Sequence, residues 1–66
     1  MSYFKTSFGS LIAGYTVQKI AKRITMGDSF DTIAEEEITP IIGSSDFGAE
    51  DEAWEIFEHC QTLTTN

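Results

Sequence analysis

The sequence predicts a small all-α protein, and three observations support this fold class. Apolar residues recur at helical spacing over most of the chain. The stripe they form is clearest in the last quarter, where charged residues occupy the opposite side. Gly27 and Pro40 fall between the helical stretches, where helices commonly end. We therefore expect three helices joined by short connections.

Size and composition set the limits for this fold. The 66 residues are expected to form one domain over 1–66, whose core supplies only about 3–5 kcal/mol. A hydrophobic fraction of 41% argues against disorder. Cys60 is the single cysteine, so an internal disulfide is excluded and a reducing compartment is favoured. Since neither a membrane span nor a signal peptide is recognisable, we expect a cytoplasmic protein.

The N-terminal third is predicted to contain an arm and a helix. Residues 2–9 are rich in poor helix formers, which indicates an irregular extended arm or a short strand. A first helix is predicted over about 10–26, with Ser10 or Ser7 as the N-cap and Gly27 as the residue that stops it. Its apolar residues form two stripes on opposite sides. Either one central helix is apolar on both sides, which we favour, or Gly14 breaks it and Thr16 caps a second helix.

The second helix is predicted over 29–37. Asp28 and Ser29 offer capping oxygens, and Asp31 places a carboxylate at the positive end of the helix dipole. Pro40 should end this helix, because proline lacks the backbone donor and disfavours helix in the residue before it. A buried turn or one helical turn and then a Gly/Ser loop are expected before the last helix.

The last helix is predicted over 49–62. Trp54 lies at the margin of its apolar stripe, and we favour a core position for this ring over an interface role. Cys60 lies on the stripe and is interpreted as a core thiol. The stripe consists of Ala49, Ala53, Ile56, Phe57, Cys60 and Leu63.

Residues 19–36 resemble the opening of many small DNA-binding domains, because two helices are joined there by a glycine turn. The resemblance implies a following recognition helix with Arg, Lys, Asn or Gln that reach base edges. Residues 38–48 contain Pro40 and two glycines but no basic residue. A plain helical hairpin is therefore favoured over sequence-specific DNA binding.

A second nucleic-acid hypothesis rests on the first helix. Tyr15, Lys19, Lys22 and Arg23 combine an aromatic ring with cations, a mixture that can stack bases and hold phosphates. The competing interpretation is that the cations pair with carboxylates of helix 29–37 or of a neighbouring subunit. We favour the pairing interpretation.

Charge is the largest signal in the sequence. Every Lys and Arg lies before position 24, every carboxylate lies from position 28 onward, and the net charge is −7. Such a chain is repelled by nucleic acids and anionic membranes and attracted to basic protein surfaces. The acidic face either only keeps the protein soluble or binds a partner. The candidate partner-binding residues are Glu35, Glu36, Glu37, Asp46, Glu50, Asp51, Glu55 and Glu58.

Catalytic, metal and cofactor sites are not predicted. Glu52, Glu55 and His59 share a helix side, but their spacing matches no established ligand signature. His59 and Cys60 are sequential on a helix and point about 100° apart, which disfavours a nucleophilic pair. We accordingly expect a non-enzymatic protein without a cofactor.

These observations lead to a functional hypothesis. We expect an acidic inhibitor that occupies the basic, nucleic-acid-binding surface of a partner protein, and for which direct DNA binding and membrane association are disfavoured. At class level the chain resembles the small acidic inhibitors that bacteriophages make against host nucleases, including anti-restriction and anti-CRISPR proteins, which implies the cytoplasm of a host cell. The alternatives are a small homo-oligomeric structural or regulatory module, such as a homodimer, and the nucleic-acid binder described above.

Overall fold

A computed structural model of the protein describes residues 3–43 and 49–64, and most of them are helical. The helical prediction is thus confirmed, but the all-α class omitted a small two-stranded sheet. The predicted Gly/Ser loop falls largely outside the described residues. In chain order the elements are β1 (Tyr3–Lys5), β2 (Leu11–Ala13), α1 (Gly14–Thr25), α2 (Phe30–Ile33), a π-helical turn (Ala34–Ile38), α3 (Thr39–Ile42) and α4 (Ala49–Thr62).

The predicted N-terminal arm is the first half of an antiparallel β-hairpin. Phe4 pairs with Ile12, and both side chains face the interior, where Ile12 is fully buried. Tyr3 and Leu11 belong to the outward face of the same pair and are exposed. The assignment of residues 10–13 to a helix was therefore wrong. Cross-strand packing decided the conformation of this segment, which local helical periodicity does not report.

The first helix begins later than predicted. Gly14 is its first residue, so one central helix from Ser10 was wrong. The alternative, in which Gly14 breaks a helix and Thr16 caps a second one, was wrong as well, because a strand precedes Gly14 and both residues lie inside α1. Ala13 stands at the N-cap position and makes no side-chain capping bond, while Thr16 is buried inside the first turn. Helix α1 thus begins directly after the residue at which β2 ends, without a side-chain cap.

The end of α1 and the start of α2 follow the prediction. Gly27 has a φ of +95°, its N–H donates to the Ile24 carbonyl over 3.0 Å, and the Asp28 N–H donates to the Arg23 carbonyl over 3.1 Å. This pair of bonds is the Schellman arrangement that glycine favours at a helix end. Two residues later the Ser29 hydroxyl accepts from the Thr32 N–H, which caps α2.

Pro40 does not end the second helix. The helical path continues to Ile42, because the preceding turn widens so that the Thr39 N–H donates to the Ala34 carbonyl five residues back. In a regular α-helix the proline ring would clash with the carbonyl four residues before it. A π-helical turn relieves such a conflict locally. Gly43, with a φ of +83°, then ends the helix.

Helix α4 spans the predicted residues and packs across α1 to form the core. Leu63, which was assigned to the apolar stripe, is 48% exposed. Trp54 is 47% exposed and lies at the core margin beside Phe57, so the favoured core position of this ring was wrong. In the part of the chain that the structure describes, no helix is both long and apolar enough to cross a bilayer. The buried apolar residues are Ile12, Val17, Ile20, Ile33, Ile38, Ala53, Ile56, Phe57 and Cys60.

Candidate functional site

Arg23 joins the basic and the acidic parts of the chain. Its Nε donates to Asp28 Oδ2 over 2.8 Å, and its Nη1 lies 2.7 Å from Glu36 Oε1 and 3.0 Å from Glu37 Oε2. Lys19 Nζ lies 3.5 Å from Glu37 Oε1. The hydrogen bond to Asp28, followed by that to Glu36, raises the pKa of the Arg23 guanidinium above its ordinary value. For Arg23 and Lys19 the pairing interpretation is thus the one that the geometry supports.

Two further carboxylates bind the hairpin turn. The Thr6 hydroxyl donates to Glu52 Oε2 over 2.7 Å, and this pair is buried. The Ser7 N–H and hydroxyl donate to the two oxygens of Glu55 over 2.8 and 2.7 Å. Glu55 therefore stabilises the fold, in addition to lying on the predicted partner-binding surface.

Sequence analysis missed this contact, although one signal pointed to it. Glu52 lies four residues before Ile56 and eight before Cys60, so it falls on the buried stripe of α4. A carboxylate at such a position requires a hydrogen-bond partner. The partner, Thr6, lies 46 positions earlier, and only the tertiary fold identifies it.

The remaining acidic side chains form the candidate partner-binding surface. Glu35, Glu50, Asp51 and Glu58 are exposed, and so is Asp31, which was not among the predicted residues. No Lys or Arg nitrogen of the described residues lies within 4 Å of any of these five carboxylates. The predicted residue Asp46 lies outside the described part of the chain. This surface therefore retains its negative charge.

Part of this surface lines two adjoining depressions between α2 and α4. Asp31, Glu35 and Glu50 lie around the larger one, of about 440 Å³, whose apolar floor includes Ala34 and Ala53. Asp31 and Glu50 also line the second, of about 430 Å³. This second depression, lined by Phe30, Asp31, Glu50, Asp51 and Trp54, is called here the Trp54 hollow. Glu58 lines neither.

An aromatic cluster holds Trp54 in place at the edge of the hollow. The centroid of its ring system lies 4.4 Å from that of Phe30 in an edge-on arrangement and 5.3 Å from that of Phe57 in a stacked one. Phe30 and Phe57 also meet edge to face, 5.2 Å apart. Contacts of this kind fix ring orientation. Nearly half of Trp54 nevertheless remains accessible.

The alternative basic surface is only partly assembled. Tyr15, which is 74% exposed, shares a face of α1 with Lys19 and Lys22 at spacings of four and seven residues. The guanidinium of Arg23 is engaged by three carboxylates, and Lys19 contacts Glu37. Arg23 and Lys19 are therefore bound to the chain's own acids, whereas Lys22 is exposed and has no carboxylate of the described residues within 4 Å.

The structure also shows the positions of the residues that were considered for catalysis or metal binding. Among residues 3–43 and 49–64, no group of three or more His, Cys, Asp or Glu side chains is placed to hold a metal ion. The His59 ring stacks on Phe4 with centroids 3.9 Å apart. Cys60 is buried, and desolvation raises the pKa of its thiol to about 11. Such a thiol is mostly protonated at neutral pH and therefore a poor nucleophile.

The geometry thus combines an uncompensated acidic surface with an accessible aromatic ring beside it. An arrangement of this kind attracts and orients cationic groups.

Comparison of the chain with protein families, with curated proteins and with solved structures finds no match.

Proposed function

We propose that this chain is a non-enzymatic binding protein that occupies a basic, nucleic-acid-binding surface of a partner protein. The observation that carries the proposal is the acidic surface, where Glu35, Glu50, Asp51 and Glu58 have no cation of the described chain within 4 Å. Asp31 is likewise without one, whereas Asp28, Glu36 and Glu37 meet Arg23, and the hairpin holds Glu52 and Glu55. The charge available to a partner is thus concentrated on the outer sides of α2 and α4.

The proposed mechanism is competition with phosphate groups. Arg and Lys of a nucleic-acid-binding protein are spaced to meet a polyanion. Carboxylates held on a folded surface can pair with the same cations, and the net charge of −7 would steer the encounter over long range. This is the mode of action expected for a cytoplasmic inhibitor of the anti-restriction or anti-CRISPR class.

Solubility is the competing explanation for the same charges. Glu50 and Asp51 also lie in the first turn of α4, where carboxylates stabilise the helix by about 0.3–1 kcal/mol each. A functional surface differs from a solubilising one in a measurable way. Only the functional surface loses a specific partner when its charges are changed.

The test is affinity capture from the native host with two charge variants. The acidic variant combines Glu35→Gln, Glu50→Gln, Asp51→Asn and Glu58→Gln, and it spares Glu55 because that residue holds the hairpin. The control combines Tyr15→Ser with Lys22→Gln on α1. Circular dichroism establishes that both variants fold.

We expect the wild type and the control to retain a basic partner, and the acidic variant to lose it. The wild-type protein should also displace nucleic acid from that partner, with an affinity that falls steeply between low and high salt. Capture that survives in the acidic variant, or that is insensitive to salt, would contradict the proposal.

The hairpin favours a second candidate function, a homo-oligomeric module. Tyr3 and Leu11 are 60% and 58% exposed on the outer face of a two-stranded sheet that has no further strand among the described residues. Short two-stranded sheets gain stability when another surface covers them. Sedimentation over a concentration series tests this candidate. A dimer that dissociates in Leu11→Ser but not in Glu58→Gln would support it, and a monomer at all concentrations would exclude it.

A further inference from the structure

We propose that the Trp54 hollow binds an arginine side chain of the partner, with its guanidinium against the Trp54 ring and between the flanking carboxylates. This inference rests on the proposed function and specifies the group that the acidic surface recognises. The hollow is lined by Phe30, Asp31, Glu50, Asp51 and Trp54, and it lies where α2 faces the beginning of α4.

The hollow is lined by negative charge. Asp31, Glu50 and Asp51 line it, and none has a Lys or Arg nitrogen of the described chain within 4 Å. The nearest cationic cluster in sequence, around Arg23, is already bound to Asp28, Glu36 and Glu37. The carboxylates of the hollow are therefore open to a cation of another molecule.

Trp54 forms an aromatic wall of the hollow. Trp54 is 47% exposed, while Phe30 and Phe57 hold its ring from within. Tryptophan is the aromatic side chain that attracts cations most strongly, and its orientation here is fixed before any ligand arrives. Exposure of such a ring among carboxylates suits a cation with an extended, weakly hydrated surface.

The chemistry of the hollow favours arginine over lysine. The guanidinium is planar, so it can stack on an aromatic face while its N–H groups meet a carboxylate in a bidentate manner. The lysine ammonium is a compact and strongly hydrated charge that does not use a flat wall in this way. An apolar wall next to carboxylates thus selects arginine, whereas carboxylates alone would accept either side chain.

The experiment uses Trp54 as its own reporter, because it is the single tryptophan of the chain. The full chain is titrated at low salt with an oligo-arginine peptide and with an oligo-lysine peptide of equal length, and both emission and heat of binding are recorded. We expect the arginine peptide to bind about 3- to 10-fold more tightly and to change the Trp54 emission. The lysine peptide should bind with little change in emission.

Two substitutions on the same face of α4 locate the contact. Asp51→Asn removes one charge inside the hollow, and Glu58→Gln removes one charge seven residues further along, outside it. We expect Asp51→Asn to weaken binding of the arginine peptide more than Glu58→Gln does. Trp54→Leu, measured by heat of binding, should abolish the preference for arginine. If the leucine variant does not fold, Trp54→Phe, which disturbs packing less and attracts cations more weakly than tryptophan, should reduce that preference.

The possible results separate the two proposals. Equal affinity for both peptides with unchanged emission, or equal effects of Asp51→Asn and Glu58→Gln, would overturn the arginine site and leave the charge-based proposal standing. If neither peptide binds at low salt, both proposals fail.

Discussion

The contact between Thr6 and Glu52 gives the sharpest test of the fold. Thr6→Val keeps the shape of the side chain but removes the hydroxyl that donates to Glu52 over 2.7 Å and accepts from the N–H groups of Phe8 and Ser10 over 3.2 and 3.1 Å. A hydrogen bond to a charged group contributes about 1.5–3 kcal/mol, and the two backbone bonds contribute about 0.5 kcal/mol or more each. We therefore expect a loss of about 2–4 kcal/mol. That is most of the stability of so small a domain.

Urea unfolding, followed by Trp54 emission, measures this loss. With a slope of about 1 kcal/mol per molar urea for a chain of this size, the midpoint should fall by about 2–4 M. Thr6→Ser retains the hydroxyl and should lose much less. Adding Glu52→Met to Thr6→Val should recover part of the stability, because removing both partners avoids a buried carboxylate without a donor. A Thr6→Val protein within about 0.5 kcal/mol of the wild type, as for an ordinary surface substitution, would refute the reasoning.

Three further predictions concern other parts of the fold. Arg23→Gln and Lys22→Gln make the same charge change, but Arg23→Gln should lower the thermal midpoint of unfolding more, because Arg23 contacts three carboxylates. This difference should shrink in 1 M salt. Equal midpoints would contradict the prediction. Burial raises the pKa of Cys60 from 9.0 to about 11, so its contribution to stability is complete below pH 9.0 and is lost as the pH rises through about 11. Between pH 8 and 11 the free energy of unfolding should therefore fall more steeply with pH for the wild type than for Cys60→Ala. Equal slopes for the two proteins would exclude this linkage. Pro40→Ala restores a backbone donor, so the π-helical turn at residues 34–38 should relax towards regular α-helix. Backbone NMR contacts that keep the five-residue spacing would show that proline is not the cause of the π-helical turn.

The parts of the fold that sequence predicted are those governed by local chemistry. The range of α4 follows from an apolar stripe at helical spacing, and the end of α1 follows from a glycine that can adopt positive φ. The hairpin was missed because Ile12 fits an apolar helix face as well as a buried strand, and only its pairing with Phe4 decides between them. The continuation of the helix through Pro40 depends on a widened turn, and no residue type in the sequence predicts such a turn.

The candidate site was predicted as a region rather than as a set of contacts. The acidic surface was identified from the net charge and from the positions of the charged residues, because both can be read directly from the sequence. Which acids remain available depends on distances between side chains of different elements, as for Glu37 beside Arg23 and Glu55 beside Ser7. The hollow at Trp54 likewise depends on how closely α2 approaches α4, which sequence spacing does not fix.

The bonds from the hairpin turn to α4 also have a consequence for the order of folding. Thr6 and Ser7 meet carboxylates that lie 46 and 48 positions further along the chain. During synthesis β1 and β2 can pack against α1, which follows them, but the bonds from Thr6 and Ser7 cannot form until α4 has been made. Contacts between such distant positions slow folding, because a long segment must close before they form. The turn of the hairpin should therefore be one of the last parts of the fold to become protected from hydrogen exchange, although it precedes every helix in the chain.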